Sequence, residues 1–140
     1  MDARIHDYGA DEREPDVARL ILIVEDDART ARRLAQMLRE EGYEVDLALD
    51  GAAAIARLSH EPMPDVLVTD VNLPRVDGLT VARYGRSRRS SLPVVVITGY
   101  PHLLATARQP IEPAPTVLTK PIDYGELVGA LSRLAPPAEP

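Results

Sequence analysis

The sequence predicts a three-layer α/β/α domain in which helices cover both faces of a five-stranded parallel sheet. This prediction rests on two observations. Short, unbroken apolar runs, such as LILIV at residues 20–24 and VVVI at residues 94–97, are typical of strands that are buried on both faces. Segments with helical spacing alternate with these runs over short links, and this alternation favours parallel strands joined by right-handed crossovers.

The first helix is predicted from the spacing of its apolar residues and from the residue at its end. After the acidic residues 25–27, apolar residues recur at helical spacing at Ala31, Leu34 and Leu38, and Gly42 stands where a helix C-cap is expected. The other elements follow from the same patterns. In order, they are strand 20–24, helix 28–42, strand 43–49, helix 51–59, strand 66–69, helix 78–87, strand 94–97, strand 116–118 and helix 124–134.

The segment between Gly99 and Thr116 departs from this pattern. It contains four prolines, which cannot lie inside a helix because they lack a backbone N–H and clash with the preceding turn. At most a short helix fits there, over residues 102–109. The prolines are Pro101, Pro110, Pro113 and Pro115.

The composition limits the classes of protein to consider. The chain has 140 residues, of which 45% are hydrophobic and 27% are charged, and it has no cysteine. The length fits one domain, and the lack of cysteine excludes a disulfide framework, a thiolate zinc site and a cysteine nucleophile. The formal charge of −6 makes the phosphate backbone of a nucleic acid an unfavourable direct partner.

Both ends of the chain are expected to lie outside the domain. Residues 1–18 are polar and are expected to form a flexible N-terminal arm, and residues 136–140 a C-terminal tail, so that the domain spans residues 19–135. No apolar stretch has the length of a signal-peptide core at the N-terminus or of a membrane span anywhere. A cytoplasmic protein without membrane contact is therefore expected.

Polar residues stand at the carboxyl ends of four predicted strands. Glu25 and Asp26 follow the first strand and Asp70 the third. Thr98 follows the fourth strand, and Lys120 comes just after the fifth. The carboxyl ends of parallel strands lie at one edge of the sheet, where open α/β sheets bind ligands, so these side chains are expected to meet there. Clustered carboxylates repel one another unless a cation or a proton lies among them, and such oxygen ligands suit Mg²⁺.

Four motifs, in this order and on these strand ends, resemble the receiver domain of two-component response regulators. They are LILIVEDD, VLVTDVNLPRVDG, VVVITGY and VLTKP, and the resemblance covers roughly residues 19–135. It implies a flavodoxin-like fold with strand order 2-1-3-4-5. It also implies that Asp70 accepts a phosphoryl group from a phosphohistidine on a histidine kinase or a histidine phosphotransfer protein.

The resemblance also implies a metal site. Asp26 resembles the direct Mg²⁺ ligand, and Glu25 beside it would act partly through water. Asp70 would be both the acceptor and a metal ligand, and Asn72 would offer its backbone carbonyl. A carboxylate is a modest nucleophile, so its reactivity depends on alignment and on cations that neutralise charge.

The remaining residues implied by the resemblance act on the phosphoryl group. Thr98 and Lys120 would hold its oxygens, and Pro121 would follow the lysine through a peptide bond that is often cis in this family. Asn72 and Tyr100 occupy the positions that tune hydrolysis of the acyl phosphate, and the bulky Tyr100 is expected to shield it from water. The chain is not expected to be an enzyme, apart from catalysing its own phosphorylation and slow dephosphorylation.

At one position the sequence departs from the family. Receivers commonly carry an aromatic residue three positions before the lysine, where this chain has Val117. The TGY motif, a poor fourth helix and VLTKP resemble a subset of single-domain receivers that pair with atypical histidine kinases. Segment 99–115 is therefore expected to be a mobile element that phosphorylation or partner binding orders, which would change contacts with a downstream protein.

Other polar residues are expected to have structural roles only. Asp27 is expected to be the N-cap of the first helix, and Thr69 to be a strand residue without chemistry. The basic run RYGRSRR at residues 83–89 is expected to be a solvated helix end rather than a docking patch. The three histidines, which show neither ligand spacing nor a histidine-kinase motif, are His6, His60 and His102.

Three other functions fit the sequence less well than a phosphoacceptor. A haloacid-dehalogenase-type phosphatase would need an Asp-x-Asp motif after the first strand, whereas Asp70-Val71-Asn72 follows the third. A flavodoxin would need a phosphate loop rich in glycine and hydroxyl groups, whereas EDD at residues 25–27 would repel a phosphate. A scaffold that is never phosphorylated would not need the full set of acids, threonine and lysine.

Overall fold

The computed structural model of the protein describes residues 18–104 and 109–137. Predictions for residues 1–17, 105–108 and 138–140 lie outside the described residues. These residues include most of the predicted arm, part of the predicted fourth helix and most of the predicted tail. The domain boundaries therefore stay a prediction.

Strands and helices alternate along the described chain in the predicted order. The strands are β1 (Leu20–Val24), β2 (Glu44–Ala48), β3 (Val66–Asp70), β4 (Val94–Thr98) and β5 (Thr116–Thr119). The helices are α1 (Ala28–Glu40), α2 (Gly51–Leu58), α3 (Gly78–Arg88), α4 (Pro101–Leu104) and α5 (Tyr124–Leu134).

The strands form one parallel sheet in the order β2-β1-β3-β4-β5, which confirms the predicted flavodoxin-like topology. Two apolar layers fill the space between the sheet and the helices, one against α1 and α5 and the other against α2 and α3. Side chains alternate between the two faces of each strand, so Leu67 and its neighbour Val68 lie in different layers. The central strands are buried on both sides and give the residues at their ends a rigid support.

Three strands are one residue longer than predicted at their carboxyl ends. β3 includes Asp70, β4 includes Thr98 and β5 includes Thr119. Backbone pairing continues through these positions, with Asp70 opposite Ile97 and Thr98 opposite Thr119. Asp70 and Thr98 are therefore the last residues of buried strands rather than loop residues. In contrast, β2 lacks the residue predicted at each of its ends, and α2 ends one residue earlier than predicted.

The C-cap of α1 lies one residue before the predicted position. This C-cap is Glu41, and Gly42 follows with a φ of 102°, a conformation that favours glycine. The Gly42 N–H donates to the Arg39 carbonyl at 3.0 Å, and the Tyr43 N–H donates to the Leu38 carbonyl at 3.1 Å. This is the Schellman arrangement, which satisfies two carbonyls at the end of the helix.

α4 begins one residue earlier than predicted, at Pro101. Proline is tolerated at the first position of a helix because the N–H that it lacks would have no partner there. The described part of α4 ends at Leu104, next to the residues outside the described range.

The prediction that the basic run is a solvated helix end is only partly right, because three of its arginines also donate to main-chain carbonyls elsewhere in the fold. Arg83 Nη2 donates to the Gln109 carbonyl at 2.7 Å, and Arg86 Nη1 donates to the Pro113 carbonyl at 2.8 Å. Arg88 donates to carbonyls at the end of α2. The first two bonds hold the proline-rich stretch after residue 108 against α3.

Candidate functional site

Three carboxylates meet at the carboxyl edge of the sheet. β1 ends at Val24, so Glu25 and Asp26 lie directly beyond it, and the neighbouring strand β3 ends in Asp70. One oxygen from each carboxylate lies within 4.8 Å of the other two. Asp70 is buried, Glu25 is half-buried and Asp26 is exposed, so the cluster is accessible from the side of Asp26.

Lys120 brings a positive charge to this cluster. Its Nζ lies 2.7 Å from Oδ2 of Asp70, whose side chain is only 4% exposed. The lysine directly follows β5, and its backbone N–H donates to the Thr98 carbonyl at 2.8 Å. The Lys120–Pro121 peptide bond is cis, as the resemblance implied. The acids and the lysine, predicted from separate strand ends, thus form one ionic cluster.

Burial and neighbouring charges shift the pKa values of two groups. Burial raises the pKa of the Glu25 carboxyl, and the charge of Asp70 raises it further. Burial lowers the pKa of the Lys120 ammonium, but the hydrogen bond and the charge of Asp70 outweigh burial, and the net result is a raised pKa. Lys120 therefore stays protonated at neutral pH, while Glu25 holds a proton more firmly than an isolated glutamic acid.

The donor set of this cluster fits a magnesium ion. Three carboxylates face one ammonium group, so negative charge is in excess at the centre of the cluster. Mg²⁺ prefers oxygen ligands and is usually bound by one or two carboxylates together with waters. A divalent cation would therefore offset the repulsion that the neighbouring acids create.

The loop after β3 holds the second oxygen of Asp70. The Asn72 N–H donates to Asp70 Oδ1 at 3.1 Å, so both carboxylate oxygens have a hydrogen-bond partner. The loop itself is fastened to the start of α3, because the Gly78 N–H donates to the Val71 carbonyl at 2.9 Å. Asn72 is exposed and lines the same cleft as Asp70.

Thr98 and Tyr100 lie at the end of β4. Thr98 is buried, and its hydroxyl accepts a hydrogen bond from the Tyr100 N–H at 3.0 Å. The Tyr100 side chain is 57% exposed, and its ring meets that of His102 edge-on with the centroids 6.4 Å apart. The shielding role expected for Tyr100 stays a prediction.

A cleft of about 740 Å³ extends from the acidic cluster along α1. Besides the cluster and Pro121, its walls include Arg29 and Arg33 of α1 and Ile122 and Tyr124 beyond β5. Its volume is in the range of cavities that admit a ligand, so a small phosphodonor or a side chain of a partner protein can approach Asp70.

The predicted role of Asp27 is only partly right. Asp27 stands at the N-cap position of α1, but its carboxylate accepts a hydrogen bond from the Thr30 hydroxyl and makes no side-chain bond to a helix N–H. This bond lowers the pKa of the Asp27 carboxyl. The Asp27 backbone N–H donates to Glu25 Oε2 at 2.9 Å, so Asp27 helps to orient a member of the acidic cluster.

Two residues that contact the main chain of Asp70 were missed in the sequence. Thr69, expected to have no chemistry, donates its hydroxyl to the Asp70 main-chain carbonyl at 2.9 Å. Gly78, expected only to begin a helix, packs against the same carbonyl so closely that no side chain fits. A threonine inside an otherwise apolar strand was the only sequence signal for the first contact.

The fold and the site together define the class of protein. The sequence profile of the response regulator receiver domain matches residues 21–132. The chain therefore belongs to this family, and the resemblance drawn from the four motifs is confirmed. Receiver domains act in two-component signalling.

Two relatives illustrate the similarity in sequence. The chain is 39% identical over 116 residues to the transcriptional regulatory protein PdtaR of Mycobacterium tuberculosis, covering 82% of this chain and 56% of PdtaR. It is 36% identical over 114 residues to the response regulator MprA of Mycobacterium avium, covering 81% of this chain and 50% of MprA. The chain thus spans about half the length of these relatives.

Solved structures show the same similarity in fold. The receiver domain of the hybrid histidine kinase CckA matches with a TM-score of 0.68 and 34% identity, over 82% of this chain and 97% of that one. A response regulator receiver protein from Sinorhizobium medicae gives a TM-score of 0.75 and 29% identity, over 84% and 94%. The response regulator TrrA of Thermotoga maritima, crystallised with Mg²⁺-BeF, matches with a TM-score of 0.69 and 26% identity, over 83% of this chain and 98% of that one.

The helices bear on the expected location. Within residues 18–104 and 109–137, no helix combines the length and the apolar composition that a membrane crossing requires. The cytoplasmic location stays a prediction.

Proposed function

We propose that this domain is a phosphoacceptor in a two-component or phosphorelay system, and that Asp70 takes the phosphoryl group from a phosphohistidine. The donor would be a histidine kinase or a histidine phosphotransfer protein. The observation that supports this proposal best is the ion pair of 2.7 Å between Asp70 Oδ2 and Lys120 Nζ, beside two further carboxylates. A purely structural ion pair would not require additional acids that repel its carboxylate.

Mg²⁺ is the cofactor that we propose for this site. Glu25, Asp26 and Asp70 would hold the ion with the backbone carbonyl of Asn72, and when bound it supplies positive charge to the phosphoryl oxygens. Two observations support this choice. The three carboxylate oxygens lie within 4.8 Å of one another, and TrrA, whose fold is similar, was crystallised with Mg²⁺-BeF.

The side chains of the cluster have separate roles in the transfer. A carboxylate oxygen of Asp70 attacks phosphorus in line with the departing imidazole nitrogen. A phosphorus–oxygen bond forms while the phosphorus–nitrogen bond breaks, and the histidine nitrogen keeps the electron pair. The Lys120 ammonium then leaves Oδ2 of Asp70 and donates to a phosphoryl oxygen instead. Its raised pKa keeps it protonated. The Thr98 hydroxyl accepts from the Tyr100 N–H, which leaves its own proton for another phosphoryl oxygen.

The product is a temporary signal rather than the end of an enzymatic cycle. An acyl phosphate is labile to water, and Asn72 and Tyr100 stand at the positions expected to tune that hydrolysis. The phosphorylated state would change contacts with a downstream protein. Val117, 38% exposed, offers no aromatic ring for the usual route, so we assign the change to segment 99–115.

Two further statements about partners and location belong to this proposal. The net charge of −6 supports a chain that makes no direct contact with nucleic acid, although PdtaR is named as a transcriptional regulatory protein. A phosphoacceptor for a histidine kinase would work in the cytoplasm. A gel-shift experiment with this chain alone and duplex DNA tests the first statement, and a retarded band would contradict it.

The proposed function is tested by intact-mass measurement after incubation with acetyl phosphate and Mg²⁺. We expect the parent protein to gain one phosphoryl group and D70N to gain none. D77N, which changes an exposed acid at the N-cap of α3, is the matched control and should be labelled like the parent. Equal labelling of D70N and the parent would overturn the assignment of Asp70.

A further inference from the structure

The residue directly before the proposed acceptor in the sequence is a fully buried threonine. Thr69 precedes Asp70 in β3 and has a relative exposure of 0%. Its neighbours across the sheet are Val24 of β1 and Val96 of β4, both members of the apolar layer against α2 and α3. Valine would fit this space without a polar group, and a buried hydroxyl costs free energy unless it is hydrogen-bonded. The presence of threonine therefore needs a physical reason.

The Thr69 hydroxyl donates to the main-chain carbonyl of Asp70 at 2.9 Å. Because the pairing of β1 with β3 ends at Val24 and Thr69, this carbonyl lies beyond the last pair of that ladder. At the other end of the same peptide group, the Val71 N–H donates to the Ile97 carbonyl at 3.0 Å. The peptide that follows Asp70 is thus bonded at both its oxygen and its nitrogen, and Thr69 supplies one of these two bonds.

The orientation of this peptide determines which groups face the Asp70 carboxylate. The next N–H along the chain, that of Asn72, donates to Asp70 Oδ1 at 3.1 Å. Oδ2 lies 2.7 Å from Lys120 Nζ. If the peptide turned, the Asn72 N–H would move away from Oδ1, and the carboxylate would lose its alignment with the lysine.

We propose that Thr69 is a positioning residue for phosphoryl acceptance. Its hydroxyl holds the peptide between Asp70 and Val71, and this keeps the carboxylate aligned between Lys120 and the Asn72 N–H. Thr69 does not touch the reacting atoms and acts through the main chain. The inference rests on the proposed role of Asp70 as the acceptor.

Three variants separate the hydroxyl of Thr69 from the rest of its side chain. T69V removes the hydroxyl and keeps the branched shape, T69S keeps the hydroxyl, and T69A removes both features. The measurement is the rate constant of phosphorylation at saturating acetyl phosphate and Mg²⁺, well below each unfolding midpoint. Misalignment of a reacting group by a fraction of an ångström slows a reaction strongly, so we expect T69V and T69A to react about tenfold more slowly and T69S within about twofold of the parent.

A residue that only supports the fold would lower the unfolding midpoint without changing the rate constant of the folded protein. The proposal is therefore overturned if T69V reacts at the parent rate, or if T69S is as slow as T69V. If T69V does not fold, the comparison of T69A with T69S decides in the same way. A parent protein that gains no phosphoryl group would refute the acceptor assignment and this inference together, whereas a labelled parent with an equally fast T69V would refute this inference alone.

Discussion

Gly78 and Asp70 approach each other so closely that a Cβ at residue 78 would lie 1.9 Å from the Asp70 carbonyl oxygen. Non-bonded atoms cannot come this near, so any side chain would push either the start of α3 or the end of β3 out of place. The first residue of α3 therefore packs directly against the main chain of the proposed acceptor.

The variant G78A is expected to be less stable and slower to be phosphorylated. Overpacking at this contact should lower the free energy of unfolding by about 2–3 kcal/mol, because the methyl group meets backbone atoms that have little freedom to move. Chemical denaturation measures the stability, and intact mass after incubation with acetyl phosphate and Mg²⁺ measures the rate.

A second glycine provides the control for this prediction. Among the described residues, the one side chain that a Cβ at Gly129, inside α5, would meet is Arg133, whose Nη1 would lie 3.7 Å away. G129A should therefore leave stability unchanged or raise it by up to about 1 kcal/mol, since alanine is the better helix former. A G78A protein as stable and as reactive as the parent would contradict the close contact between Gly78 and the Asp70 carbonyl.

Glu25→Gln is expected to stabilise the protein at neutral pH when no divalent cation is present. Burial and the charge of Asp70 raise the pKa of the Glu25 carboxyl. A carboxyl whose pKa is higher in the folded state binds its proton more tightly there, so its ionisation at higher pH lowers stability. The gain should therefore be largest at pH 7 and should shrink as the pH falls through the folded pKa toward 4.5, the ordinary value.

Thermal unfolding in EDTA across this pH range measures the effect of Glu25→Gln. Glu44→Gln, at an exposed position of β2, controls for the change in net charge. Saturating Mg²⁺ should stabilise the parent more than the glutamine variant, because the parent keeps the complete set of carboxylates. A glutamine variant that is less stable than the parent in EDTA at pH 7 would contradict the assignment of repulsion to this cluster.

Arg86→Gln is expected to loosen the stretch that contains Pro113. The guanidinium donates to the Leu92 carbonyl through Nε and to the Pro113 carbonyl through Nη1. Losing these donors should lower the free energy of unfolding by about 1–2 kcal/mol. It should also speed amide exchange at Ile111, Glu112 and Ala114. Arg32→Gln, at an exposed position of α1, should change stability by less than about 0.5 kcal/mol, and equal exchange in both variants would refute the role of Arg86.

Tyr100→Ala is expected to shorten the half-life of the acyl phosphate. The residue stands two positions after Thr98, where a bulky ring can exclude the attacking water. The half-life is measured by the decay of the phosphorylated mass after removal of the donor. Tyr100→Phe keeps the ring and should keep the half-life, and an unchanged half-life in the alanine variant would reject a shielding role.

The sheet was predictable because burial on both faces selects apolar side chains all along a strand. Leu20–Val24 was therefore placed correctly at both ends. Asp70 and Thr98 were placed one residue outside their strands, because a polar residue at the end of a strand resembles the first residue of a loop. Backbone pairing decides between these alternatives, and it depends on the neighbouring strand rather than on the side chain itself.

The candidate site was predictable to the extent that it depends on side-chain chemistry. Asp70 and Lys120 are 50 positions apart, yet their residue types and strand ends predict one cluster, and their side chains lie 2.7 Å apart. Thr69 and Arg86 were missed for the opposite reason. Both donate to main-chain carbonyls, and since every residue has such an acceptor, their partners leave no trace in the sequence.

α3 has one further mechanical consequence. At its first residue, the Gly78 N–H is bonded to the loop after Asp70, and at its far end Arg86 is bonded to Pro113. The helix has 11 residues and is stiff over its length of about 16 Å, so a tilt of about 5° at Gly78 would carry its far end by about 1.4 Å. A small displacement beside the carboxylate would thus become a larger displacement at the far end of α3, near Pro113. This coupling would not require the aromatic residue that receivers commonly carry before the lysine.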